Sequence, residues 1–91
     1  MSVKVRVPSL VQLKVTGGQE TIEVAAHTPL ESLRALESQF PQVGKWLYDE
    51  RGNVRPQVWV FVNGEKVNPE DLSRILEDGD EVAFLFAISG G

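Results

Sequence analysis

The chain contains no cysteine and only one histidine, His27. Disulfide staples, thiolate zinc sites and a cysteine nucleophile are therefore excluded, and a reducing, cytoplasmic setting fits. No stretch approaches the roughly 20 apolar residues of a membrane span, and the opening Met1 to Pro8 lacks the apolar run of a secretory leader. Basic residues are in deficit. Nine Lys and Arg against 13 Asp and Glu give a net charge of −4. That balance opposes sequence-independent binding to a nucleic-acid backbone and permits docking on a basic protein partner. With 91 residues, one domain with one core is expected over 1–91, without a deep cleft of catalytic groups. Titratable residues form no dense cluster, so side chains are not expected to carry chemistry.

What is present is patterned. Val3, Val5 and Val7 alternate with Lys4 and Arg6, the period of a half-buried strand, and Pro8 should end it. Leu13 and Val15 alternate in the same way before Thr16-Gly17-Gly18-Gln19, and Ile22 and Val24 follow, so strand, glycine turn and strand are expected here. Thr28-Pro29-Leu30-Glu31 is a helix start, with a capping threonine, proline at the first helical position and glutamate closing a capping box. Leu30, Leu33, Leu36 and Phe40 then form one apolar stripe, which Pro41 stops. Val43, Trp46 and Leu47 suggest a further helical turn, and 49–56 reads as an exposed loop. Val58 to Val62 is the strongest strand signal. Asn63-Gly64 supplies the preferred hairpin turn, and Glu65 to Val67 begins the return strand. Asn68-Pro69-Glu70-Asp71 starts a short helix with Leu72, Ile75 and Leu76 as its apolar face. Asp78-Gly79-Asp80 turns into a last strand, Glu81 to Ala87.

Each candidate site competes with a plainer reading. His27 beside the helix start has no second histidine or serine–carboxylate set, so a surface or capping role is favoured over catalysis. Glu77, Asp78, Asp80 and Glu81 lack the alternating oxygen ligands of a metal loop, so turn chemistry is favoured and no metal is expected. Lys45, Arg51 and Arg55 read as solvated charges. Thr16-Gly17-Gly18 lacks the lysine and the following helix of a phosphate loop. The aromatic strand is more informative. Alternation puts its valines on one face and Trp59 with Phe61 on the other, where a one-helix fold has no covering layer. Val82, Phe84 and Phe86 share one face of the last strand, leaving Ala83 and Leu85 on the other. An exposed Trp59, Phe61 and Leu85 patch suits a protein-binding surface unless Trp46 or the 49–56 loop covers it. The strand then runs into Ile88-Ser89-Gly90-Gly91, expected to be a flexible tail.

In this order of elements, the chain resembles the ubiquitin-like sulfur carriers, best of all the small subunits of molybdopterin synthase. The likeness is firmest in Val60-Phe61-Val62-Asn63-Gly64-Glu65, in Leu76 to Phe84, and in Ser89-Gly90-Gly91. The resemblance implies an α+β β-grasp fold: a mixed sheet around one main helix, with parallel first and last strands. It also implies chemistry at the main-chain carboxylate of Gly91, with Gly90 beside it and no bound cofactor. An activating adenylyltransferase of the ubiquitin-activating class would spend ATP to make the acyl-adenylate. Persulfide sulfur, ultimately from a cysteine desulfurase, would then displace AMP and leave a thiocarboxylate. The acceptor would be cyclic pyranopterin monophosphate in the large subunit of molybdopterin synthase. Trp59, Phe61, Leu85, Phe86, Ile88 and Ser89 would meet the partners.

Relatives commonly carry proline just after the last strand, where this chain has Phe86-Ala87-Ile88. The tail is thus expected to stay extended for longer and to dock through apolar contacts. Sister groups hand sulfur to a cysteine synthase or to thiamine thiazole formation; members of the latter are usually shorter, without a segment like 41–56. A modifier would instead have its activated Gly91 joined to lysine amines.

Overall fold

A computed structural model describes residues 1–87; the tail expected at 88–91 lies outside them. Five strands form one sheet: β1 (Ser2–Arg6), β2 (Thr21–Ala25), β3 (Val58–Val62), β4 (Glu65–Val67) and β5 (Glu81–Phe86). Their order is β2-β1-β5-β3-β4. β1 and β5 run parallel with Lys4 opposite Glu81, and every other pairing is antiparallel. The first and last strands therefore lie side by side at the centre, and the sheet wraps one main helix, the β-grasp arrangement.

That helix, α2 (Pro29–Gln39), starts as its sequence dictates. Thr28 Oγ1 accepts the Glu31 N–H at 3.1 Å, and Glu31 Oε1 accepts the His27 N–H at 2.9 Å. The box thus closes one residue earlier than its simplest form. Leu33 and Leu36 are fully buried against Val3, Val5, Val60, Val82 and Phe84 of the sheet, while Leu30 and Phe40 pack at the rim. After Pro41 the chain continues through a 3-10 turn into α3 (Gly44–Leu47), which buries Leu47. Burial of this apolar stripe, more than intrinsic helix propensity, holds α2 in place.

One local expectation fails. The segment with Leu13 and Val15 is not a strand: α1 (Ser9–Val11) passes directly into a π-helical turn, Gln12–Thr16. Leu13 is 79% exposed, whereas Val11 and Thr16 are buried, so the buried positions follow a wide helical turn and not a period of two. The segment satisfies its own polar groups. Gln12 N–H donates to the Pro8 carbonyl, its side-chain amide donates to the Val7 carbonyl, and Thr16 Oγ1 donates to the Gln19 carbonyl. Gly17, left-handed at φ 68°, ends it. β1 therefore pairs with β2 across a helical connection. Ile75, expected on an apolar face, is likewise 74% exposed, while Leu76 beside it is buried.

The Asn63-Gly64 turn forms as expected, with φ of 50° and 87° at its two residues. It is also tied to the start of β5. The Glu81 N–H donates to Asn63 Oδ1, the Asn63 amide donates to Asp80 Oδ1 at 3.1 Å, and the Glu77 N–H donates to Asp80 Oδ2 at 2.9 Å. The Ser2 N–H donates to Asp78 Oδ1 at 2.8 Å. Two carboxylates of the 77–81 acidic run are thus spent on turn chemistry. The hydrogen bond from Glu77, then that from Asn63, holds the Asp80 carboxyl below its ordinary range.

Two predictions follow from these contacts. A group whose folded pKa is depressed contributes stability above its unfolded pKa, and loses it as pH falls through the folded value. The D80A variant should therefore melt lower than wild type at neutral pH, with the gap narrowing below about pH 4. A Tm gap that is constant or widens in acid would contradict this. Among the described residues the buried Tyr48 hydroxyl has no hydrogen-bond partner, and burial pushes its pKa up to about 12. Y48F should leave stability unchanged or raise it by up to about 1 kcal/mol in denaturant titration, whereas a loss of that size would mean the hydroxyl is bonded.

Candidate functional site

Alternation along the strands sorts the sheet into two faces. Val58, Val60, Val62, Val82 and Phe84 point to the helix and are buried. Trp59 and Leu85 face outward, directly opposite each other across β3 and β5, and remain 42% and 48% exposed. Phe61 is half-buried and pairs with Ala83. These four residues form a continuous apolar strip over two central strands. Trp46 does not cover it, lying on the helix side edge-on to Phe86 with ring centroids 6.1 Å apart, whereas the 49–56 loop runs beside Trp59 and lines a groove with it.

Lys66, opposite Phe61 on β4, places its Nζ 4.1 Å from the Trp59 ring centroid. A cation over an exposed indole is weakly favourable and fixes both side chains. The sequence contained the signal for this contact: carrying the hairpin register back from Asn63-Gly64 puts Lys66 on the face of Trp59 and Phe61. The other half of the outer face is polar. There Arg6 bridges Glu20 at 3.3 Å and Glu81 at 3.6 Å, pairs that are solvent-exposed and contribute little to stability.

Phe86 takes a different position from the other aromatics expected at partner contacts. It faces the helix side, half-buried, and packs edge-on to Phe84 at 5.8 Å as well as to Trp46. Its ring therefore anchors the end of β5. The Ala87 N–H still donates to the Gln57 carbonyl at 2.6 Å, so the ladder continues one residue beyond β5, as the missing proline suggested. Ile88, Ser89, Gly90 and Gly91 lie outside the described residues. The outer strip ends in Leu85, two residues before the last described residue.

His27 is an exposed histidine of the capping region, its Nδ1 3.5 Å from Glu31 Oε1. Among the described residues no group of His, Asp and Glu could hold a metal ion, and no helix is long and apolar enough to cross a membrane. Arg55 turns its Nε to the Lys45 carbonyl at 3.3 Å and lines a groove with two cations from elsewhere, Arg34 and Lys66. That grouping joins residues far apart in sequence and leaves no local signal.

A five-stranded β-grasp sheet with an apolar outer strip beside its central parallel pair defines the ubiquitin-like class of domain. The sequence model of the ThiS family matches residues 10–91. The chain belongs to that family, among the ubiquitin-like sulfur carriers. A chain of the BexX/CysO complex of Amycolatopsis orientalis is 30% identical, over 98% of this chain and 99% of that one, with a TM-score of 0.81. SAMP1 of Haloferax volcanii shares the fold at 24% identity, over 100% of both chains, with a TM-score of 0.82. So does a chain of the complex of subunits 1 and 2 of the molybdopterin-converting factor of Helicobacter pylori 26695, at 22% identity, over 100% of both, with a TM-score of 0.64. No curated protein matches the chain.

The exposure of Trp59 can be read directly. In a W46F variant the remaining indole should emit at long wavelength and be freely quenched by acrylamide. Blue-shifted, protected emission would mean that the strip is covered.

Proposed function

We propose that this chain is a sulfur carrier that works through the main-chain carboxylate of Gly91, as the terminal residue of the mature protein. The observation that carries this reading is the combination of the family match with Ser89-Gly90-Gly91 following a central strand. A carboxylate resists attack because its charge is delocalised and oxide leaves poorly. Adenylation with ATP, releasing pyrophosphate, converts that oxygen into part of AMP, a good leaving group. A partner's persulfide then attacks the carbonyl and expels AMP. Cleavage of the resulting acyl disulfide by a thiol leaves the thiocarboxylate, with the thiol oxidised to a disulfide. The chain supplies no catalytic side chain in this sequence; the partner's active site does.

Glycine at the last two positions suits this chemistry. Without Cβ, Gly90 and Gly91 can thread a narrow channel and leave the carbonyl open. The outward Trp59, Phe61 and Leu85 strip is the face that would rest on the activating enzyme and the acceptor, since indole and aliphatic groups at the centre of an interface give the largest return from desolvation.

For the acceptor, the sequence motifs favour the large subunit of molybdopterin synthase. A second reading, an acceptor other than that subunit, such as a cysteine synthase, is left open by a specific observation. The BexX/CysO chain is more similar in identity and TM-score than the molybdopterin-converting factor chain. Affinity isolation from the native cell separates the two by which acceptor co-purifies. A modifier joined to lysines is the third alternative, and it predicts isopeptide-linked species that survive reducing agents.

The carboxylate chemistry has its own test. With the activating enzyme of the same cell, the wild-type chain should support ATP–pyrophosphate exchange. G90V and G91V should lose it by roughly a hundredfold or more while melting as wild type does, because misplacement at the reacting centre is costly. Exchange at the normal rate in either variant would sink the carrier reading.

A further inference from the structure

The groove beside α2 has a composition at odds with the rest of the molecule. It encloses about 490 Å³ between α2, the 49–56 loop and the β3–β4 edge. Its floor is aliphatic, with Leu30, Val54 and Leu72 among its residues, and Arg34, Arg55 and Lys66 stand on its walls. No Asp or Glu lines it, although acids outnumber bases 13 to 9 in the chain. Among the described residues, none of these three cations has a carboxylate within 4.0 Å.

We propose that this groove docks an acidic segment of a partner protein, one with carboxylates on either side of an aliphatic residue. The aliphatic side chain would fill the floor, and the carboxylates would meet Arg34 on the α2 wall and Lys66 on the β4 wall. Both cations are already held. Arg34 stacks over the Tyr48 ring at 5.2 Å, and its Nη2 donates to the Gly52 carbonyl at 3.5 Å, while Lys66 rests on Trp59 at 4.1 Å. Side chains held in advance lose less entropy on binding. The Val58 N–H is already given to the Arg55 carbonyl at 2.9 Å, so it is not free to pair with an added strand.

Charge complementarity selects a peptide over a nucleic acid. A domain of net charge −4 repels a long polyanion, yet three local cations suit a ligand with two or three carboxylates. Docking here requires nothing of Gly91, and the groove borders the outer strip at Trp59, which lines both. Failure of the sulfur chemistry would leave this site standing, and the reverse also holds.

The test is selection of short random peptides displayed on phage against the full chain, followed by NMR mapping of the enriched sequence. Carboxylates flanking an aliphatic residue should be enriched, and the peptide should shift the amides of Gly52, Asn53, Val54 and Ser73 in a saturable way. R34E/K66E should weaken binding by at least about tenfold, and K66E alone by a smaller factor. K4E/K14E, matched in charge but away from the groove, should stay within about twofold. Amide replacement of the peptide's carboxylates should abolish binding. No enrichment, a neutral or basic consensus, shifts confined to the outer face of the sheet, or undiminished binding to K66E would each overturn the proposal. So would tighter binding, at the groove, of a single-stranded oligonucleotide.

Discussion

The parallel pairing of β1 with β5 is the constraint on which the rest depends. Two parallel neighbours cannot be joined by a hairpin, so the chain between them must cross over the sheet. Here it does so through α2, which delivers Leu33 and Leu36 to the inward valines of both strands. Because the pair is central, with β2 beyond β1 and β3 beyond β5, its hydrogen-bonding edges are covered on both sides. The end of β5 is consequently the end of a well-held strand. Phe86 wedged against Trp46 and Phe84 fixes the exit, so whatever follows residue 87 departs from a defined point.

A single helix covers a single face, and that limit gives the outer face its character. On the β2–β1 side the outward positions are mostly charged or polar, among them Lys4, Arg6, Thr21 and Glu23. On the β5–β3 side they are Trp59, Phe61, Ala83 and Leu85, which are apolar without being core. The strip therefore has its cost in exposure offset only by association. Lys66 over Trp59 keeps the edge of the strip soluble, and both side chains also line the cationic groove. The two surfaces differ in chemistry: one offers apolar area, the other charge around an aliphatic floor.

Much of this was legible because it is written in local chemistry. Thr28-Pro29 with Glu31 starts a helix wherever it occurs, and Asn63-Gly64 accepts positive φ where most residues do not. The alternation through Val58 to Val62 alone dictates the outward direction of Trp59. Residues 9–16 misled for a physical reason. Leu13 and Val15 imitate a strand period, but Pro8, Gln12 and Thr16 close hydrogen bonds within the segment and the glycines release it, so a helical connection wins over a short strand. The convergence of Arg34, Arg55 and Lys66 was illegible because it arises only when helix, loop and edge strand are brought together. The inward turn of Phe86 was legible; its wedging on Trp46 was not.

The absence of cysteine makes the central claim unusually direct to test. A thiocarboxylate is alkylated by iodoacetamide at neutral pH, whereas a carboxylate is not, and no side-chain thiol competes in this chain. Native chain should be trapped with iodoacetamide at lysis, before the terminus hydrolyses, and measured by intact mass and fragmentation. The account predicts one added carbamidomethyl group together with sulfur in place of one oxygen, both located at Gly91. A chain recovered without any such adduct and joined through Gly91 to lysine side chains would contradict it.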